Sequence, residues 1–151
     1  MTNELENQFF DTFGIEPKFK GYSNTEELSN GGVIPCGSIK YFNTIEEMDK
    51  ANYWCFNMWE LDDEDKDYPQ ITDRILLELI KILSKEFIFK MFNNFDDDWA
   101  LMLNTMDKDE QKWFVSCNGF KNALLSLLMN VCNCSDADNI KHQVRTLFEE
   151  G

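Results

Sequence analysis

The spacing of apolar positions changes along the chain, and those changes predict its elements. Residues 3–13 place Leu5, Phe9, Phe10 and Phe13 near one helical stripe. Gly14 follows where a C-terminal glycine would end such a helix. From 15 to 42 the pattern breaks up, because Pro17, Gly21, Gly31, Gly32, Pro35 and Gly37 punctuate it. Short strands are predicted at 19–22 and 38–42, the latter alternating Ile39 and Tyr41 with Ser38 and Lys40. Thr44 with Glu47 has the form of a capping box, which predicts a helix over 45–51. Residues 53–61 are apolar on both alternating faces and predict a central strand.

Beyond residue 61 the expected period is helical throughout. A run of carboxylates passes through Pro69 into the widest apolar arc of the chain, where Ile71, Ile75, Leu79, Ile82 and Leu83 form a stripe. Pro69 is expected at the first helical position of a main helix over 69–93, with a break near Ser84 as the alternative. Acids at 96–98 and 107–110 read as first-turn or capping residues of short helices over 99–106 and 111–117. Residues 120–133 predict an apolar helix, and 135–138 cap a last one with Ile140, Val144, Leu147 and Phe148 on its buried side. The expected fold is therefore helix-rich α+β. A small N-terminal antiparallel sheet, built from 38–42 and 53–61, should pack on a C-terminal bundle of four or five helices. No repeat or long linker divides the chain, so 1–151 is expected as one domain, mixed and acidic over 1–67 and helical over 68–151.

Composition adds a strong electrostatic constraint. Twenty-eight acids against fourteen bases give a formal charge of −14 over 151 residues. Residues 1–70 carry −10 of it and 71–151 carry −4. Such a charge opposes direct binding of nucleic acid or an anionic membrane and favours a basic partner. Five cysteines, no basic leader and no long uncharged apolar run fit reduced thiols in a cytoplasmic protein. Fifteen Asn and twelve Lys, beside two Arg and four Ala, suggest an AT-rich genome such as that of a low-GC bacterium or its phage.

Each arrangement that could carry chemistry falls short of its motif. An EF-hand loop begun at Asp63 would put Tyr68 where glycine is required and Arg74 where glutamate is required. Gly31 and Gly32 lack the lysine and the spacing of a phosphate loop and read as a turn. Cys132 and Cys134, with His142, lack zinc-finger spacing, and Cys132 falls on an apolar helical position. Carboxylates at 62–67 and 96–98 offer ligands for two-metal hydrolysis, yet both precede predicted helices, where acids favour the positive end of the dipole. No catalytic residue, metal site or cofactor is assigned, and the chain is expected not to be an enzyme.

The expected function is docking of an acidic face on a basic surface of another protein, a nucleic-acid-binding protein or a toxin. Glu46, Glu47, Asp49, Glu60, Asp62, Asp63, Glu64, Asp65 and Asp67 are the candidate contact residues, imitating phosphates toward Lys or Arg. In size, charge and composition the chain resembles small acidic phage inhibitors of nucleic-acid-binding defence enzymes, anti-CRISPR proteins among them. That resemblance implies nucleic-acid mimicry, and no motif extends it to particular residues. An immunity or antitoxin-type protein or adaptor is the alternative, and a metal-dependent hydrolase the further one.

Overall fold

Local capping chemistry sets several element boundaries. Thr44 Oγ1 accepts from the Glu47 N–H at 3.2 Å, and Thr72 Oγ1 accepts from the Ile75 N–H at 3.3 Å. A side-chain oxygen so placed satisfies one of the donors that a helix start leaves open. The computed structural model describes residues 4–55, 66–94, 96–133 and 137–149. In chain order its elements are α1 (Glu4–Thr12), β1 (Lys18–Glu27), β2 (Val33–Phe42), α2 (Ile45–Lys50), β3 (Lys66–Asp67), α3 (Asp73–Ser84), β4 (Phe87–Asn93), β5 (Asp98–Thr105), β6 (Gln111–Asn118), α4 (Phe120–Cys132) and α5 (Asp138–Glu149). They divide into two compact units: Glu16–Pro69, and Asn3–Ile15 together with Gln70–Glu150.

In the first unit β1 and β2 form an antiparallel hairpin with Phe19 opposite Phe42 and Glu27 opposite Val33. The register slips between Tyr22 and Asn24, and β3 pairs with β1 on its other side. Trp54 adds a single antiparallel bridge to Tyr22, with N–O distances of 2.7 and 2.8 Å. The core of this unit lies at one end of the hairpin. Phe19, Phe42 and Met48 are buried there, and Ile45, Tyr53 and Cys55 pack against them. Gly21 makes the closure possible, since a Cβ at that position would stand 2.8 Å from the Phe42 ring and 3.0 Å from Tyr53 Cβ.

In the second unit β4, β5 and β6 form an antiparallel meander. Leu101 and Leu103 of β5 and Val115 of β6, all at odd positions, are buried on one face. There α4 packs, with Cys117 Sγ 3.8 Å from Ser126 Oγ and Trp99 edge-on to Phe120. Helix α4 is apolar almost all round and buries Ala123, Leu124, Leu125, Leu127, Leu128 and Val131. Such a helix needs neighbours on several sides, and α1 and α5 supply them away from the sheet. Phe9, Phe10 and Phe13 of the N-terminal stretch are fully buried, and Phe10 meets Phe148 edge-on at 5.2 Å. The chain thus completes this core only by joining its first helix to its last.

The expectation of a single sheet packed on a helical bundle is overturned. The fold is mixed α+β, with two small three-stranded antiparallel sheets and, among the described residues, five helices. The supposed main helix ends at Ser84, and 87–93 is strand β4, where Phe and Ile suit a pleated surface. Residues 99–106 and 111–117, expected helical, form β5 and β6. Ala, Leu and Met favour helix locally, but pairing on both sides of β5 outweighs that preference. Pro69 is not a first-turn residue, for α3 begins at Asp73 after its Thr72 cap. The expected strand over 53–61 shows only the Trp54 bridge, and 56–61 lie outside the described residues. No helix among the described residues is long and apolar enough to cross a membrane.

Candidate functional site

Helix α2 presents the first cluster of expected contact residues. It is pinned to the hairpin by Met48, which is 1% exposed, and capped by Thr44. Met48 and the half-buried Ile45 face the core, and Glu46, Glu47 and Asp49 are all exposed. Glu46 and Asp49 are three residues apart and so are neighbours on the helix surface. Among the described residues none of the three carboxylates makes an ion pair. Glu46 and Glu47 also lie in the first turn, where the helix dipole favours negative charge.

The other expected residues are not gathered there. Asp67 lies half-buried on β3 opposite Lys18, and its Oδ1 accepts from the Tyr68 N–H at 2.8 Å. Glu60, Asp62, Asp63, Glu64 and Asp65 lie outside the described residues. Lys50, in the last turn of α2, lies four residues from Glu46 and three from Glu47 and offsets part of the charge of that helix. Lys20, Lys40 and Lys66 stand 5.6, 5.7 and 5.2 Å from the centroids of Tyr22, Phe42 and Phe19, so their cations face aromatic rings.

The uneven charge of the two sequence halves does not carry over to the two units. Glu16–Pro69 holds twelve acids and five bases, and the other unit holds sixteen and nine, which is −7 for each. The difference arises because Glu4, Glu6 and Asp11 fold with the C-terminal residues.

A second candidate surface lies on the even-numbered face of the β4–β5–β6 sheet. Register places Lys90, Met102 and Phe114 in one row and Phe92, Ala100 and Ser116 in the next. Phe92 is 50% exposed and Phe114 49%. Acids border the rows at both ends. At one end Asp96 and Asp97 lie in the β4–β5 turn and Asp98 opens β5, and Asn93 Nδ2 braces them by donating to the Asp96 and Asp98 carbonyls at 3.2 and 3.1 Å. At the other end Asp107, Asp109 and Glu110, with Lys108 among them, are exposed in the β5–β6 turn. Lys90 Nζ donates to Asp109 Oδ2 at 3.2 Å, and Asn104 Nδ2 donates to Asp109 Oδ1 at 2.9 Å. The Asn104 amide, and then Lys90, hold the Asp109 carboxyl below the usual carboxylate range. Asn104 itself is 4% exposed, and its Oδ1 has no donor among the described residues. Sequence reasoning missed this surface because it read β5 and β6 as helices, which scatters Met102 and Phe114 onto unrelated faces.

The remaining chemistry is sparse. Among the described residues no group of three or more His, Cys, Asp or Glu is placed to hold a metal ion. Cys36, Cys117 and Cys132 are free thiols among the described residues. Cys132 Sγ donates to the Thr12 carbonyl at 3.7 Å, and burial pushes its pKa up. Cys134 lies outside the described residues, and His142 is exposed on α5. Compared with known proteins, the chain matches no family model, no curated protein and no solved structure.

Proposed function

We propose that this chain is a non-enzymatic acidic protein of the cytoplasm that docks on a basic surface of another protein. The nucleic-acid site of a defence enzyme is the surface that suits it best, with carboxylates standing in for phosphates. The observation that carries the proposal is α2, where three exposed carboxylates sit on a capped and anchored helix without ion pairs among the described residues. Charges left unneutralised in the free protein remain available for Lys or Arg of a partner, and such pairing steers encounter and fixes register. Free thiols at Cys36, Cys117 and Cys132 suit a reducing compartment.

The test is capture of the partner from the native host at low and at high salt, with wild type beside the combined variant Glu46→Lys, Glu47→Lys, Asp49→Lys. Capture should fall steeply with salt, fail for the variant, and be competed by the partner's own nucleic acid. Capture indifferent to salt would sink the proposal.

A further inference from the structure

We infer that the even-numbered face of the β4–β5–β6 sheet is a docking surface for a basic amphipathic helix of a protein partner. The inference rests on the reading that the partner is basic, and it names a second contact surface and what sits on it. Sheets normally bury both faces or leave one polar. Here α4 packs on the odd face of β5 and β6, while the even face carries Phe92, Met102 and Phe114 around the small, buried Ala100, and Phe92 and Phe114 are half-exposed. An apolar centre with a charged rim is how a docking surface is built: the centre supplies affinity and the rim supplies orientation.

The rim decides which occupant fits. Asp96, Asp97 and Asp98 stand at one end, and Asp107, Asp109 and Glu110 outnumber Lys108 at the other. Lys90, the base within the rows, is already engaged by Asp109. Nucleic acid and anionic lipid would be repelled at both ends. A second copy would bring the same acids against each other. A segment with apolar side chains in the middle and Lys or Arg at both ends meets every group.

Length is also set by the sheet. From Asp98 to Asn104 along β5 is about 20 Å at about 3.3 Å per residue. A helix rises about 1.5 Å per residue, so about thirteen residues reach from one acidic end to the other.

The test uses the full chain and two synthetic peptides of about fourteen residues. One is an amphipathic helix with a leucine stripe and Lys or Arg at each end. The other has the same composition in an order that destroys the stripe. Calorimetry should show the amphipathic peptide binding at least about tenfold tighter than the permuted one. Amide shifts on binding should cluster on β4, β5 and β6. The double variant Phe92→Ser, Phe114→Ser should remove that advantage, and Ser116→Lys should do the same without touching an aromatic side chain. Equal binding of the two peptides, or shifts confined to α2, would overturn this inference and leave the acidic-binder proposal standing. No binding of either peptide at low salt would overturn both. A control version of the amphipathic peptide with Gln for every Lys and Arg should bind more weakly, and equal binding would overturn the inference that the occupant is basic. Self-association lost in Ser116→Lys would make a second copy the occupant and overturn it.

Discussion

Arg145 closes the end of α1 from across the chain: its Nε donates to the Phe13 carbonyl at 2.6 Å, 132 residues away in sequence. The last carbonyls of a helix lack internal partners, and a cation there also suits the dipole. The guanidinium fits because Gly14 has φ +70° and no side chain, and a Cβ there would stand 2.7 Å from Arg145 Nη2. Arg145→Ala should therefore lower stability by about 1–2 kcal/mol, and Gly14→Ala by a similar amount. In the Arg145→Ala background Gly14→Ala should cost less, because only the backbone strain remains. Urea denaturation of the four proteins measures this coupling.

Helix α3 provides an internal contrast between its faces. Leu79 is fully buried and Leu77 is 60% exposed, two residues apart. Leu79→Ala should cost about 2–5 kcal/mol through lost burial and the cavity left behind. Leu77→Ala should stay within about 0.5 kcal/mol. Thermal melts of the two variants side by side check both values.

The same helix shows what was legible from sequence. Its buried stripe of Ile75, Leu79, Ile82 and Leu83 was visible from period alone, as were α1, α4 and α5. The capping box at Thr44 located α2 to within one residue. The failures lie where local preference and long-range pairing conflict. Trp99-Ala-Leu-Met-Leu103 is rich in helix formers, yet pairing with β4 and β6 holds it extended, and α4 buries Leu101 and Leu103. The acids at 107–110 looked like a helix start but form a turn in which Asp109 takes φ 51°. Of the candidate site, Glu46, Glu47 and Asp49 were named from charge alone, and their exposure came with the fold of α2. The aromatic face of the second sheet was not legible, since a face exists only once its strands are in register.

Caps should be separable from the core. Thr72→Ala removes the oxygen that the Ile75 N–H reaches and should lower stability by about 1 kcal/mol. Thr72→Ser should retain most of it. Chemical denaturation of both variants tests whether the hydroxyl, rather than the methyl, is what matters.

Asp109 gives a pH signature of defined sign. Its carboxyl is held low, first by the Asn104 amide and then by Lys90. A depressed folded-state pKa adds stability that is present above the ordinary carboxylate range and lost as pH falls through the folded value. Carboxyl NMR should place the Asp109 midpoint below that of a free aspartate. Asn104→Ala should raise the midpoint most and Lys90→Met less. A midpoint unmoved by either variant would contradict the assignment.

The contact of Phe9 and Phe10 with Phe148 imposes an order of events during synthesis. At about 5–20 residues per second, α1 leaves the ribosome about 7–27 s before α5 exists to receive it. Through that interval its phenylalanines lack the partner they will bury against, and each stands to gain about 1.5–3 kcal/mol from full burial. The Glu16–Pro69 unit is continuous in the chain and can complete its own core meanwhile. On stalled ribosomes that unit should resist protease once it has emerged, while α1 stays cleavable until Phe148 is out. The first helix made is thus among the last to fold, and a chain that must keep three exposed phenylalanines from sticking elsewhere gains from a net charge of −14.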